Sequence, residues 1–580
     1  MMFKSLLAAS TLAGLAAAAP APAGDALKVS TDGSCGGTSG FTCAGSSFGN
    51  CCSKFGWCGT GEAYCGSECQ ASAGKCTGSS PTTSQSSKPS STQAPTSTAT
   101  APSTLTDCLG DKDVPISLIS SNDFAALSKP YNLRLPHTPA VIVLPTTEQH
   151  VSDAVVCAAQ NDIKVQARGG GHSYAAYGLG GKDGSMMIDL HELHDINVDA
   201  TTGIATAGGG TRLGNLAQGI HDQGKRAMAH GTCPAVGLGG HATHGGYGYD
   251  SRNWGLAMDQ IIGLDVVLAD GTQVHATETE NSDVYWACRG AADSIGIVTK
   301  FYLQTHEAPE SIVYFSYGLA DMWQSGEQTA TYFQHIQDVA QNATVVDRKI
   351  GFGMYMDGSG FSLSGTYFGT EDEFNSKIAP ELLRGLPKPT SSDVQSMGWI
   401  ASLQKLGGAS TITVPTSGYD QHDNFFAKSV TVPEDTPLTH DALTSYFDYM
   451  INQGKTAGAS WYSIVNLYGG PDSQINNKDT SFAAYSDRNS LWVAQHYIFT
   501  SADQTLPQSA MTFLDGLNDA MTSKMPNAEF GAYLNYIDPS LSAEEAHKVY
   551  YGDALYERLE SVKKAVDPKS VFWNPQAIGA

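Results

Sequence analysis

Between residues 141 and 305, short apolar runs of strand length alternate with stretches whose apolar residues recur every three or four positions. Val141-Ile142-Val143-Leu144 reads as a buried strand. Thr147 follows as a helix cap, and Val151, Val155 and Ala158 share one face of a helix predicted to run through about Asn161. Lys164–Ala167 and Met186–Ile188 are the next predicted strands. Ile196–Val198 and Ile204–Thr206, separated by Thr201-Thr202-Gly203, predict a hairpin. A helix over Leu213–Gln223 ends at Gly224. Asp270-Gly271 is a hairpin turn between Asp265–Leu268 and Gln273–His275. Strand-like runs and helices continue to alternate from 306 to about 530, so the fold class is α+β.

The first hundred residues follow another pattern. Lys4, the apolar run Leu6–Leu15 and Ala16-Ala17-Ala18 have the three parts of a secretory signal, which sets residues 1–19 apart. The run is too short to cross a bilayer, and no other segment has that length, so the chain is expected to be secreted and free of membrane. Eight of the twelve cysteines fall between Cys35 and Cys76. That segment is too poor in aliphatic residues to build a core, so disulfides must hold it; the residues alone leave every pairing open. Residues 78–106 are dominated by Ser, Thr and Pro and predict an extended linker. A net charge of −24 excludes a nucleic-acid partner, whose phosphates require Lys and Arg. Asn342-Ala343-Thr344 is an N-glycosylation sequon.

The chemistry concentrates in two glycine-rich segments, Arg168-Gly169-Gly170-Gly171-His172-Ser173-Tyr174 and His230-Gly231-Thr232-Cys233-Pro234-Ala235-Val236-Gly237-Leu238-Gly239-Gly240-His241. Each follows a β-like run, Ile163–Ala167 and Lys225–Ala229. Glycine runs let backbone approach a flat, phosphate-bearing ligand, and their N–H groups can cradle a pyrophosphate. His241 and His244, three apart, have no carboxylate or cysteine beside them in sequence, so packing under a ligand fits them better than a metal site. Cys288, in an apolar-flanked run, reads as a buried free thiol.

These two segments closely resemble the flavin-attachment loops of the berberine-bridge-enzyme-like oxidases, in the vanillyl-alcohol-oxidase superfamily. The resemblance extends through Tyr131-Asn132-Leu133-Arg134, Trp286–Gly290, Gly296–Thr299 and Tyr550-Tyr551-Gly552 to the C-terminus. It implies a two-subdomain FAD-binding domain over 136–306, a substrate domain with an antiparallel sheet backed by helices over 307–530, and a returning segment over 531–580. It implies FAD bonded through its 8α carbon to His172 and through C6 to Cys233. Arg168, Gly169, Gly170, Gly171, Ser173, Gly237, Gly240, His241, Gly296 and Val298 complete the expected cofactor site. Val236 matches the position that controls access of oxygen, the expected electron acceptor. A disulfide between Cys108 and Cys157 is implied as well.

In sugar-oxidising members the second tyrosine of a motif like Tyr533-Leu534-Asn535-Tyr536 takes the proton of the anomeric hydroxyl, and the first lines the sugar site. That marks Tyr536 as base and Tyr533 as its neighbour. An ordinary tyrosine is a weak base at neutral pH. In gluco-oligosaccharide oxidases an aspartate assists it, yet the matching strand here, Trp461–Gly470, has Asn466 there and Ile464 in place of a glutamine. Asn466 can orient Tyr536 but cannot accept its proton. Tyr174 and Tyr462 are expected along the substrate cleft with Ile464.

Residues 32–77 resemble the hevein, or chitin-binding type 1, module. That implies the pairs Cys35–Cys52, Cys43–Cys58, Cys51–Cys65 and Cys69–Cys76. It also places Ser53, Phe55, Trp57 and Tyr64 at the N-acetylglucosamine-binding positions. A small disulfide knot has no interior for these rings, and exposed aromatic faces stack on sugars. The expectation is a secreted oxidase of oligosaccharide reducing ends, with chitin or chito-oligosaccharides as partner and oxygen as acceptor. Runner-up substrates are cello- or gluco-oligosaccharides, or a small aromatic or alkaloid-type alcohol.

Overall fold

The computed structural model describes residues 27–31, 34–36, 41–46, 48–53, 56–60, 62–65, 69–76, 101–418 and 421–580. The signal expected at 1–19, Phe55 and the linker as far as residue 100 lie outside them. The described residues form two units, the disulfide-rich segment and everything from residue 101 onward.

In the small unit all four expected pairs are present: Cys35–Cys52, Cys43–Cys58, Cys51–Cys65 and Cys69–Cys76. Its interior consists of buried cystines and Ala73.

The large unit begins earlier than its composition suggests. Ser103–Gly110 is helical, inside the range expected to be linker. Leu105 and Leu109 are fully buried against the helix Glu148–Gln160, and the Cys108–Cys157 disulfide staples the two helices. Thr147 caps Glu148–Gln160 as expected, its hydroxyl accepting the His150 N–H at 3.2 Å.

Val141–Val143, Met186–Asp189 and Val165–Arg168 form a parallel sheet in that order, with Ile116–Ser117 antiparallel at its edge. A second, antiparallel sheet has the order Gln273–Ala276, Ile261–Val267, Ile297–Gln304, Ile204–Gly208, Ile196–Val198. Both expected hairpins lie in it. The strand expected over Lys225–Ala229 shrinks to Arg226–Ala227: Lys225 takes a left-handed conformation at φ 55°, and only Arg226 and Ala227 find a partner strand, His306–Glu307.

Seven antiparallel strands make the third sheet: Ser391–Met397, Ile312–Gly318, Phe361–Tyr367, Ile350–Asp357, Ser460–Leu467, Ser490–Thr500 and Asn424–Pro433. The helices Gly326–Ala340, His440–Gln453 and Gln508–Thr522 cover one face, where Phe333, Phe447 and Leu514 pack on Phe352, Val465 and Trp492. Side chains alternate across a pleated sheet. The opposite face therefore presents Tyr355 from one strand, Tyr462, Ile464 and Asn466 from the next, then Gln495, Tyr497 and Phe499, and finally Phe425.

The chain then returns to the first sheets. The Val165 N–H donates to Val571 O at 2.8 Å, and the buried Lys563 ammonium donates to Ser294 O, Asp567 Oδ2 and Phe572 O at 2.6–2.7 Å.

Candidate active site

The loop after Val165–Arg168 and the segment after Cys233 meet backbone to backbone. A Cβ on Gly237 would lie 2.6 Å from Gly170 Cα and would collide with the Gly170 nitrogen; the converse holds for Gly170. Arg212, fully buried, ties the two loops together by donating to Gly170 O at 3.1 Å and to Ala235 O, and it reaches Thr416 O at 3.1 Å. Nothing in its local sequence marks it for this role. Val298 lies in the sheet beneath, two residues after Gly296, and Gly209 passes too close to Val298 O to carry a side chain.

Arg168 braces the loop from below. It pairs with Asp189 at 3.6 Å and donates to Leu127 O, so its charge faces protein and not an open ligand site. Among the described residues, the N–H groups of Gly170, Gly171 and Ser173 have no hydrogen-bond acceptor, and neither do those of Gly239 and Gly240 at the start of the helix Leu238–Thr243. A Cβ on Gly240 would stand in open space. Free N–H groups along a side-chain-free wall suit the pyrophosphate of FAD.

His172 packs its ring on Tyr131 at 4.4 Å. Cys233 is accessible, yet the protein around it pushes its thiol above the ordinary value. It lies close enough to Tyr174, Tyr462 and Tyr536 for a charge on it to disfavour ionisation of each. His241 is buried, and burial drives its pKa down to about 3. Its neutral Nε2 accepts the Gly231 N–H at 3.0 Å and fixes the turn that leads into Cys233. His244 lies 3.4 Å from Asp293.

Tyr536 stacks on Tyr174 at 5.9 Å and meets Tyr533 edge-on at 4.8 Å. Burial pushes its phenol well above the usual 10. Tyr533 differs from the sugar-lining residue expected. It is 2% exposed, and its oxygen accepts N–H groups from Gly246, Tyr247 and Asn535 at 2.9, 2.8 and 3.2 Å. Tyr533 thus anchors the loop that follows the Cys233 segment. Asn466 also departs from its expected role. Among the described residues it makes no hydrogen bond to Tyr536; its Oδ1 fills the space left by Gly353 on the neighbouring strand.

The sheet face turned away from the helices supplies residues that the linear sequence did not reveal. Gln495, directly opposite Ile464, donates to the Tyr174 hydroxyl at 2.8 Å. Tyr355, Tyr462, Tyr497 and Phe425 stack in succession at 5.5, 5.0 and 4.7 Å, and Phe425 meets Tyr174 edge-on at 5.1 Å. Tyr355 is 39% exposed, so this ring-lined floor runs from solvent to Tyr174 and Tyr536. Tyr355, at the solvent end, is exposed enough to stack against the C–H face of a sugar.

Residues 139–277 match the FAD binding domain family, and residues 532–579 match the family described as berberine and berberine like. The chain is 37% identical to the chitooligosaccharide oxidase of Gibberella zeae and 35% identical to the xylooligosaccharide oxidase of Thermothelomyces thermophilus. In both cases the match covers 82% of this chain and 94% of the relative. The chain belongs to the berberine-bridge-enzyme-like FAD-linked oxidases. A solved structure of this family, the glucooligosaccharide oxidase from Acremonium strictum, superposes with a TM-score of 0.76 at 31% identity, over 82% of this chain and 99% of that one. It carries a 6-S-cysteinyl, 8α-N1-histidyl FAD. The present oxidase is therefore an FAD-dependent carbohydrate oxidase, and the glycine cradle between His172 and Cys233 fits that cofactor.

In the small unit Trp57 is 49% exposed, and Tyr64 lies half-buried across Gly59. Ser53 is buried, its hydroxyl accepting the Trp57 N–H at 3.3 Å and so not presented to solvent. Asn342 is exposed in a turn, its Oδ1 accepting from the Thr344 hydroxyl at 2.8 Å. Among the described residues no helix is long and apolar enough to cross a membrane.

Proposed function

We propose that this oxidase converts the reducing-end C1 hydroxyl of oligosaccharides, chito-oligosaccharides foremost, to a lactone that hydrolyses to the aldonic acid. The observation that carries the reading is the meeting of Cys233, Tyr174 and Tyr536 at the inner end of the ring-lined floor. His172 and Cys233 hold the cofactor covalently. FAD bound there supplies the hydride acceptor and passes electron pairs to dioxygen, which leaves as hydrogen peroxide. Tyr355 and Tyr462, the less buried rings of the row, border the sugar. Gln495 donates to the Tyr174 oxygen, which leaves the Tyr174 proton available to a sugar oxygen. Tyr536 takes the anomeric hydroxyl proton. It does so as the phenolate; burial makes that form scarce and residue 466 is not a carboxylate that could take the phenol's own proton, so the active fraction grows as pH rises.

The preference for chitin fragments is supported by the hevein-like module, whose Trp57, Tyr64 and Phe55 bind N-acetylglucosamine polymers in this reading, and by the 37% identical chitooligosaccharide oxidase. The signal at 1–19 and the five disulfides support an extracellular enzyme glycosylated at Asn342. A peroxide-coupled screen of chito-, cello-, xylo- and malto-oligosaccharides, with aromatic alcohols as controls, tests the assignment. A clear preference for cello-, xylo- or malto-oligosaccharides would reject the chitin preference and keep the oxidase. Removing residues up to 100 is expected to abolish retention on insoluble chitin and leave turnover of soluble oligosaccharides unchanged.

A further inference from the structure

His172 follows three consecutive glycines, which give the backbone before it unusual freedom. A histidine that must form a bond to carbon needs its nitrogen aimed along one direction, and loss of that aim lowers the rate steeply. The structure supplies the constraint from elsewhere in the chain. Tyr131 lies face to face with the His172 imidazole, centroids 4.4 Å apart and planes 26° apart. Tyr131 is in turn held by the substrate domain. Its ring meets Phe425 edge-on at 5.6 Å. Next to it, the Asn132 side-chain oxygen accepts the Phe425 N–H at 3.3 Å, its amide donates to Tyr174 O at 2.9 Å, and the Leu133 N–H donates to Asp423 O at 3.0 Å. Arg134 Nε donates to Phe425 O at 3.0 Å. Residues 131–134 are thus pinned on one side to the first residues of the edge strand Asn424–Pro433 and on the other to the loop that carries His172.

We propose that Tyr131 is a positioning residue for attachment of flavin to His172, and that docking of the seven-stranded sheet completes this clip before the histidyl bond forms. The inference rests on the bicovalent reading above. In the bond-forming step one C8α–H and the imidazole N–H are replaced by a C8α–N bond. The two protons and two electrons released reduce the flavin, and dioxygen takes them up as hydrogen peroxide. The Cys233 attachment does not use the clip, because Cys233 is held by the turn fixed through His241 and by the Gly170–Gly237 contact. The two linkages therefore depend on different parts of the protein and can be separated by mutation.

The test is peptide mass spectrometry of the full-length protein, expressed and purified with its flavin, for the fraction of His172 and Cys233 peptides that carry flavin. Tyr131→Leu is expected to lower the His172-linked fraction at least about tenfold, while Cys233 stays flavinylated and reports a folded cradle. Tyr131→Phe keeps the ring and is expected to retain both bonds. Phe425→Leu, which removes the support from the sheet side, is expected to lower the His172 fraction in the same direction, and it serves as the second variant should Tyr131→Leu not accumulate. Wild-type occupancy of His172 in Tyr131→Leu, or in Phe425→Leu where only that variant accumulates, overturns the clip and leaves the bicovalent reading intact. A wild-type protein without His172-linked flavin overturns both.

Discussion

Gly237→Ala is the sharpest steric test of the cofactor cradle. Gly237 has φ −80° and ψ 138°, a conformation open to alanine, so the substitution introduces no backbone strain. The added methyl would lie 2.6 Å from Gly170 Cα, whereas carbon atoms pack at about 3.5–4.0 Å. The two loops must therefore part by about 1 Å. Overpacking of this kind costs about 1–3 kcal/mol, which a protein of this size tolerates, but a displacement of about 1 Å near the chemistry can lower a rate about a hundredfold. The expected result is a folded protein with a reduced ratio of flavin to protein absorbance after acid precipitation, and turnover per flavin down about a hundredfold. Gly170→Ala should behave alike, since the contact is reciprocal. Wild-type flavin content together with wild-type turnover would refute the inference that this backbone contact shapes the cofactor site.

Tyr536→Phe is expected to cut turnover at least about a hundredfold with full flavin content; near-normal turnover would move the base to another residue. Asn466→Asp puts a carboxylate on the same sheet face, but because residue 466 packs on Gly353 and makes no hydrogen bond to Tyr536 among the described residues, the rising limb of the rate–pH profile should stay where it is. A limb moved to lower pH would show that a carboxylate at 466 can take the Tyr536 proton. Asp250 is buried with the Thr366 hydroxyl at 3.5 Å, and burial lifts its pKa to about 7. The folded state thus holds a proton that the unfolded chain releases near pH 4, so this contribution to stability is complete below about pH 4 and is lost as pH rises through 7. Asp250→Asn should flatten the fall in Tm between about pH 4 and 7, measured by scanning calorimetry; Asp487, lifted to about 6, accounts for part of the slope that remains. An unchanged slope would mean that Asp250 does not titrate in this range.

Local chemistry made much of this protein legible from its sequence. Thr147 caps its helix because a hydroxyl before an amphipathic run has one good use, and Asp270-Gly271 turns a hairpin for an equally local reason. The glycine runs announced a close backbone approach, and family spacing gave all five cystines. Alternation along each strand also said which side chains share a face. It could not say which strands are neighbours, because sheet order joins residues as far apart as Gly353 and Asn466 through hydrogen bonds that carry no sequence signature. Only the tertiary structure set Gln495 opposite Ile464, lined Tyr355, Tyr462, Tyr497 and Phe425 into one floor, and used Arg212 to lock two loops. The same limit explains the residues whose roles changed. Tyr533 and Asn466 are read in sequence as partners of Tyr536. Three converging donors claim the hydroxyl of the first, and an absent side chain at Gly353 claims the amide of the second. A motif names the residue types available to a site, whereas packing decides which of their atoms are already satisfied and which remain free for the substrate.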